Sequence, residues 1–291
     1  MTRLIQSLSE ISTNYDALFV DLWGCVHNGV QAFPDAVKAL QDYRKGGGIV
    51  ILVTNSPRPW RSVAKQMLGF GVPEDAYDAI ATSGDSARTA MYMGAGGQKV
   101  VQLGTPAEVA VFFEAPEILE EAMEVSLVPL EEAEGIVVTG PRDAKADLDV
   151  NRPEFLYAKQ KGLKLLCANP DIVVDRGESR EWCAGALGAL YTEMGGESLY
   201  FGKPHPPIYD LARRRLSKLA QVDDAKILCI GDGIGTDVMG GIGEGLDVLF
   251  ITGGLAAAEF GDDPVNPDPV RLQDWLNEQN LAPTAAISFL R

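Results

Sequence analysis

Residues 226–237 read KILCIGDGIGTD, a short apolar run that leads into a glycine-rich loop with two aspartates. The run at Lys226–Ile230, bounded by glycine, is typical of a buried β-strand. Asp232 and Asp237 offer the hard oxygen ligands that a divalent cation prefers. A dinucleotide-binding loop is the alternative, but its spacing requires glycine at the position of Thr236. The stretch therefore predicts a strand followed by a metal-binding loop.

Apolar runs alternate with amphipathic stretches along the chain, which predicts an α/β fold with a parallel sheet. Strands are expected at Ala17–Val20 and Ile49–Val53, with a helix at Pro34–Lys45 between them. After the metal-binding loop we expect a short helix at Thr236–Gly243 and a strand at Asp247–Ile251. Further strands are predicted at Lys99–Leu103, Gly135–Val138, Leu163–Cys167 and Ile172–Val174. This middle group either continues one sheet or forms an inserted second domain.

The composition limits the class of partner. Apolar residues make up 46% of the chain and charged residues 23%, which is ordinary for a globular protein. The net charge of −16 argues against nucleic acid or an anionic membrane as the main partner, because both need a basic surface. A phosphorylated small molecule stays compatible, since a metal ion and a few cations reverse the field inside a cleft. The sequence lacks the apolar stretch of a secretion signal or a membrane span, so we expect a cytoplasmic protein; a homodimer is left open.

Two polar motifs follow the predicted N-terminal strands. Asp21 stands directly after the strand Ala17–Val20, at the sheet edge where open α/β folds bind their ligands. Thr54, Asn55 and Ser56 follow the next strand, and their hydroxyl and amide groups suit phosphate oxygens. The same residues also suit the cap of the helix that follows, and the two roles are compatible.

Lys203 stands between Gly202 and Pro204, just before a predicted helix. These neighbours restrict the backbone of Lys203 and therefore limit the directions in which its ammonium group can point. Such a cation can stabilise a carboxylate nucleophile and the charge of a phosphoryl group. Taken alone, the motif is more typical of a surface lysine in a turn.

Together and in this order, the four motifs resemble those of the haloacid dehalogenase (HAD) superfamily, over about residues 15–85 and 196–255. The runs GKPHPPIY at 202–209 and ANPD at 168–171 are similar to the class IIA branch, which contains NagD-like and p-nitrophenyl phosphatase-like enzymes. This resemblance implies a Rossmann-like parallel-sheet core formed by residues 1–83 and 196–291. An α/β cap domain would then be inserted at residues 84–195.

The resemblance also implies a phosphatase that acts on a small phosphorylated metabolite, such as a sugar phosphate or a nucleotide. Asp21 would attack phosphorus and form an aspartyl-phosphate, which water later releases. Thr54, Ser56 and the backbone around Asn55 would hold the transferring group. Lys203 would offset its charge, so that positioning and electrostatics provide most of the catalysis.

The cofactor implied by the resemblance is Mg²⁺, bound by the carboxylate of Asp21, the backbone carbonyl of Trp23 and Asp232. Asp237 would bind it directly or through water, or would orient Lys203. Trp23 departs from the family pattern, in which a second aspartate protonates the leaving oxygen and activates water. An indole N–H has no usable acid–base pKa, and losing a positioned acid–base group costs about 10²–10⁴-fold in rate.

The tryptophan leaves several interpretations open. His27 is a candidate replacement for the missing acid, because histidine titrates near neutral pH, although it is also compatible with a structural loop histidine. Alternatively, the substrate needs no proton on its leaving group, as with an acyl phosphate, a phosphonate or a halide. The acidic pair Asp232 and Asp237 argues against the halide, since dehalogenases of this kind do not keep it. A last alternative is a protein that binds phosphorylated ligands without turning them over.

Overall fold

The computed structural model describes residues 2–105, 111–116, 118–119, 121–176 and 179–291. They form two compact units. The first consists of the chain up to Thr54, Ala64–Ala81 and Tyr209–Arg291, and the second of Asn55–Val63 and Thr82–Ile208. The assignment of a catalytic core to residues 1–83 and 196–291 and of a cap to residues 84–195 stays a prediction.

The strands are numbered in chain order. They are β1 (Arg3–Leu4), β2 (Ala17–Val20), β3 (Ile49–Thr54), β4 (Ala79–Thr82), β5 (Lys99–Leu103), β6 (Ser126–Leu127), β7 (Gly135–Val138), β8 (Lys164–Cys167), β9 (Val173–Arg176), β10 (Ser179–Trp182), β11 (Glu197–Tyr200), β12 (Ile227–Gly231), β13 (Asp247–Ile251) and β14 (Ala285–Ile287).

The helices of the described residues are numbered in the same way. They are α1 (Pro34–Lys45), α2 (Trp60–Phe70), α3 (Ser83–Tyr92), α4 (Arg152–Gln160), α5 (Ala184–Glu193), α6 (Pro206–Ser217), α7 (Met239–Gly243) and α8 (Pro269–Glu278). Among the described residues, no helix has both the length and the apolar character needed to cross a membrane.

The first unit is built on a seven-stranded sheet with the order β1-β14-β13-β12-β2-β3-β4. Pairing is parallel between β2 and its neighbours β3 and β12, and from β12 through β13 and β14 to β1. All residues of β2 and β12 are buried, as expected for parallel strands covered on both faces. The chain leaves β2 in one direction along the sheet and β12 in the other. The topological switch point therefore lies between these two strands, where open α/β folds bind ligands.

The predicted α/β fold is confirmed, and β2, β13 and α1 have the predicted bounds. The middle strands do not continue the first sheet. They form a five-stranded sheet of their own in the second unit, in the order β11-β8-β7-β5-β6, beside the antiparallel pair β9 and β10. The helix predicted at Thr236–Gly243 differs, since one turn of π-helix at Ile234–Val238 precedes α7.

The core of the second unit follows the alternation of side chains along its central strands. Ile136 and Leu165 belong to a cluster on one face, where the ring of Tyr191 is fully buried. Val137 and Leu166, the next residues along the same strands, belong to a second cluster on the other face. The five-stranded sheet therefore buries both of its faces within this unit.

A buried ion pair joins several segments of the second unit. Arg88 Nη1 lies 2.8 Å from Asp85 Oδ1, and the two side chains are 5% and 2% exposed. The other carboxylate oxygen of Asp85 accepts the N–H of Trp60 at 3.2 Å, at the start of α2. The guanidinium of Arg88 also donates to the backbone carbonyls of Phe112 and Glu114. The pair thus ties α3 to α2 and to the segment around Phe112.

Asp85→Ala is expected to lower the free energy of unfolding by about 3–5 kcal/mol, because the charge of Arg88 would stay buried without its carboxylate. The matched control is Asp149→Ala, which breaks the exposed pair Asp149–Arg152 and should shift the transition far less. Urea unfolding followed by circular dichroism measures both variants. Equal shifts for the two variants would contradict this role of the buried pair.

Candidate functional site

The carboxylates of Asp21 and Asp232 meet at the switch point of the first sheet. The N–H of Asp21 donates to the carbonyl of Ile230 at 2.8 Å, which continues the parallel ladder by one step beyond β2. Oxygens of the two carboxylates and Sγ of Cys25 all lie within 4.8 Å of one another. Among the described residues, no other group of three or more such donor side chains is found.

These three donors fit a divalent cation. Asp21 is 8% exposed, Asp232 3% and Cys25 1%. Two carboxylates buried side by side repel each other and favour a positive charge between them. Carboxylate oxygens are also the ligands that Mg²⁺ and Ca²⁺ prefer. The arrangement therefore satisfies both the charge and the ligand chemistry of a metal site.

Glycines on both sides give Asp232 its position. A Cβ atom on Gly24 would stand 2.2 Å from Asp232 Oδ2, and one on Gly254 would stand 2.1 Å from it. Gly24 also has a φ of +76°, which favours glycine for a second reason. The N–H of Leu255 donates to the same oxygen at 2.9 Å. The carboxylate therefore fits between two segments of main chain that could not approach it with side chains.

Asp237 is held inside its own loop rather than in the Asp21–Cys25–Asp232 group. Its Oδ2 accepts from the N–H of Gly233 at 3.2 Å and from the hydroxyl of Thr236 at 3.1 Å. The carbonyl of Gly233 accepts from the N–H groups of Asp237 and Val238, which closes the π-helical turn. A Cβ on Gly231 would lie only 2.1 Å from Asp237 Cγ. These contacts describe a residue that shapes the loop, and its role toward a metal stays a prediction.

Asn55 uses its side chain to hold the backbone of Lys203. Its Oδ1 accepts the N–H of Lys203 at 2.7 Å, and its Nδ2 donates to the carbonyl of Lys203 at 3.1 Å. The same Nδ2 donates to Asp171 Oδ1 at 2.8 Å. Lys203 is 3% exposed, so its ammonium group belongs to a buried site. Asn55 is thus a positioning residue for Lys203, a role the sequence did not indicate.

Thr54 and Ser56, the chain neighbours of Asn55, differ from it in their surroundings. Thr54 is the last residue of β3 and is half-buried. Ser56 Oγ accepts the N–H of Arg58 at 3.3 Å, as in a turn that precedes a helix. The predicted contacts of Thr54, Asn55 and Ser56 with a phosphoryl group stay predictions.

Trp23 lies on the outer side of the loop after β2, next to the buried ring of His27. The indole is 36% exposed, and its ring centroid lies 5.6 Å from that of His27. A Cβ on Gly29 would stand 2.2 Å from Trp23 Cη2, so the indole lies directly on this glycine. No acidic side chain occupies position 23, and the metal contact expected through the backbone carbonyl of Trp23 stays a prediction.

His27 is buried in an apolar setting. Its ring is 4% exposed, lies 5.0 Å from the ring of Phe70, and accepts the N–H of Gly29 at Nδ1 over 2.9 Å. Burial lowers the pKa of His27 to about 4, so the imidazole is neutral at pH 7. These contacts describe a side chain that supports the Trp23 loop, and an acid–base role for His27 stays a prediction.

Sequence reasoning missed Cys25 as part of the candidate site. No pairing motif marks it, because its neighbour Asp232 lies more than 200 residues further along the chain. It also missed the link from Asp171 through Asn55 to Lys203. An acid directly after Asn-Pro was the signal present in the sequence, although it did not reveal the partner.

Comparisons with known proteins show the family to which the chain belongs. A family model described as haloacid dehalogenase-like hydrolase matches residues 18–115, and one described as HAD-hydrolase-like matches residues 200–275. The chain is 26% identical over 271 residues to the 5′-nucleotidase YutF of Bacillus subtilis, covering 91% of this chain and 97% of that protein. A solved glycerol phosphate phosphatase of Mycobacterium tuberculosis in complex with magnesium shares the fold, with 24% identity, a TM-score of 0.66 and coverage of 97% and 77%.

A solved hydrolase of the haloacid dehalogenase-like family from Brucella suis is 39% identical to this chain. The match covers 99% of this chain and 100% of that one, with a TM-score of 0.82. The chain therefore belongs to the haloacid dehalogenase-like hydrolase family.

Proposed function

We propose that this chain is a Mg²⁺-dependent phosphatase of small phosphorylated metabolites, with Asp21 as its nucleophile. The observation that carries the proposal is the pair of buried carboxylates, Asp21 and Asp232, at the switch point of the sheet. The names of the relatives support the substrate class, since a 5′-nucleotidase and a glycerol phosphate phosphatase both act on small phosphate esters. A cytoplasmic location is part of the same proposal.

Asp21 carries out the covalent step. Its carboxylate oxygen attacks phosphorus, the bond to the leaving oxygen breaks, and an aspartyl-phosphate results. Water then attacks the phosphorus, releases inorganic phosphate and restores the carboxylate. Asp21 and Asp232 would hold Mg²⁺ together with the carbonyl of Trp23. When bound, Mg²⁺ neutralises negative charge on the phosphoryl oxygens.

Lys203 supplies further positive charge in this proposal. Its main chain is fixed by two hydrogen bonds with the side chain of Asn55, one accepted and one donated by that amide, and the amide also donates to Asp171. A charge whose backbone is already ordered loses little entropy when the substrate binds, and such preorganisation is effective in catalysis. Thr54 and the backbone from Asn55 to Ser56 would bind the phosphoryl oxygens. The proposed cap at residues 84–195 would select the substrate and exclude water.

Because residue 23 is a tryptophan, the turnover rate should depend strongly on the leaving group of the substrate. No carboxylic acid stands at this position, and the nearby imidazole of His27 is neutral and buried. Substrates whose leaving oxygen departs without a proton should therefore be hydrolysed fastest. The same observation favours a second candidate function, namely a protein that binds phosphorylated ligands with very slow turnover.

Asp21→Asn is expected to reduce turnover by at least about 10⁴-fold, because the amide removes the nucleophile. The matched control is Asp16→Asn, the same substitution in an exposed residue at the other end of β2, which should keep wild-type rates. Turnover of p-nitrophenyl phosphate measures the effect. Fluorine NMR with Mg²⁺ and beryllium fluoride should show a bound phosphoryl mimic in the control variant and none in Asp21→Asn. Equal turnover in the two variants would refute Asp21 as the nucleophile.

Trp23→Asp is expected to raise the turnover of alkyl phosphates by about 10²-fold, because it supplies a proton donor to a poor leaving group. Turnover of p-nitrophenyl phosphate should change much less, since that leaving group needs no proton. Trp23→Asn, which removes the indole without adding an acid, is the control. Turnover rates are measured for a series of phosphate esters that differ in their leaving group. Equal rates for Trp23→Asp and Trp23→Asn across this series would argue against this role of Trp23.

A further inference from the structure

Cys25 lies inside the candidate metal site, although the mechanism does not use it. Its thiol is 1% exposed, and Sγ lies within 4.8 Å of carboxylate oxygens of both Asp21 and Asp232. The other three cysteines, at positions 167, 183 and 229, belong to no such donor group among the described residues. Cys167, for example, belongs to the apolar cluster beneath the second sheet.

The loop after β2 accounts for this position. The N–H groups of Val26 and His27 both donate to the carbonyl of Leu22, at 2.8 and 3.1 Å. The N–H of Gly24 donates to the carbonyl of His27 at 2.9 Å. These bonds turn the chain back on itself within a few residues. As a result, Cys25 is buried beside the carboxylates, whereas the nearby indole of Trp23 is partly exposed.

We propose that Cys25 is a metal ligand, so that the Asp21–Cys25–Asp232 group forms a site for soft divalent cations such as Zn²⁺ and Cd²⁺. This inference rests on the proposed function in one respect: the two carboxylates are those that would hold Mg²⁺. A soft cation bound through sulfur would occupy the place of Mg²⁺ and block hydrolysis. The geometry thus predicts a site that distinguishes metals by their affinity for sulfur.

The distances are compatible with one ion. Zinc binds thiolate sulfur at about 2.3 Å and carboxylate oxygen at about 2.0–2.2 Å. In the tetrahedral geometry of zinc, two such donors on one ion lie about 3.3–3.7 Å apart. Donor atoms that are within 4.8 Å of one another therefore need to approach by at most about 1.5 Å.

The chemistry of the donors sets the preference. Sulfur forms its bond to Zn²⁺ or Cd²⁺ as the thiolate, and the thiol proton passes to solvent. Mg²⁺ is a hard cation that binds oxygen and keeps several of its waters, so it leaves the thiol protonated and unbound. One thiolate and two carboxylates carry three negative charges, which a divalent cation reduces to one. Cys25 should therefore increase affinity for soft cations and contribute little to Mg²⁺ binding.

Cadmium titration of the metal-free full-length protein tests the proposal. Isothermal titration calorimetry measures affinity, and ultraviolet absorption records the thiolate-to-cadmium charge-transfer band. The wild type should show the band. Cys25→Ser should lose it and bind Cd²⁺ at least about tenfold more weakly, while its Mg²⁺ affinity should change less than about twofold.

Cys183→Ser is the matched control, because Cys183 is the N-cap residue of α5 and serine is favoured there. This variant should keep the band and the wild-type Cd²⁺ affinity. Asp232→Asn should weaken the binding of both Cd²⁺ and Mg²⁺, because the two metals share the carboxylate. An Asp232→Asn protein with unchanged Cd²⁺ affinity would overturn the shared site.

The outcomes separate this inference from the proposed function. Absence of the band in the wild type, or its persistence in Cys25→Ser, would overturn the role of Cys25 even if p-nitrophenyl phosphate is hydrolysed with Mg²⁺. The opposite result, a band that depends on Cys25 in a protein without phosphatase activity, would support the metal site and refute the proposed function.

Discussion

The parallel register between β2 and β12, in which Val20 pairs with Ile230, is the constraint on which the site depends. It places the ends of two strands side by side, although they stand about 210 residues apart in the sequence. A slip of one residue would turn every side chain of the strand to the opposite face of the sheet. Both strands are entirely buried and apolar, so this register packs their side chains into the core on both faces of the sheet. The hydrophobic core therefore determines where Asp21 and Asp232 meet.

Glycines next to Asp232 and Asp237 are required for steric reasons. Gly24 and Gly254 allow the main chain to touch the carboxylate of Asp232, and Gly231 does the same for Asp237. A run such as GDGIGTD could be taken for a flexible loop. Here a Cβ on Gly231 would collide with the side chain of Asp237 and one on Gly233 with that of Thr236, whereas Gly235 has open space around it. Conformational freedom is needed as well at Gly24, where φ is positive.

Much of the fold could be predicted from the sequence because strands buried on both faces appear as continuous apolar runs. The contacts that complete the site could not. Asn55 binds the backbone of Lys203, 148 residues away, and Cys25 meets Asp232 only because two distant strands pair. The helical turn near Thr236 begins earlier in the chain than the predicted helix. The reason is local, because the carbonyl of Gly233 accepts two N–H groups and so begins the turn. Pattern reasoning captures burial, whereas side-chain partners depend on the folded chain.

The loop after β2 combines close packing, burial and the absence of charge within a few residues. Gly24 makes room for Asp232, Cys25 is buried beside it, and Trp23 lies on the outer side against Gly29. Burial holds His27 in its neutral form, so the loop contains neither an acid at position 23 nor a charged imidazole at pH 7. The indole at position 23 is thus part of a consistent local environment without a charged side chain. Under the proposed function, such a site would bind a metal and a phosphoryl group, while the leaving group would depart with little help from a protein acid.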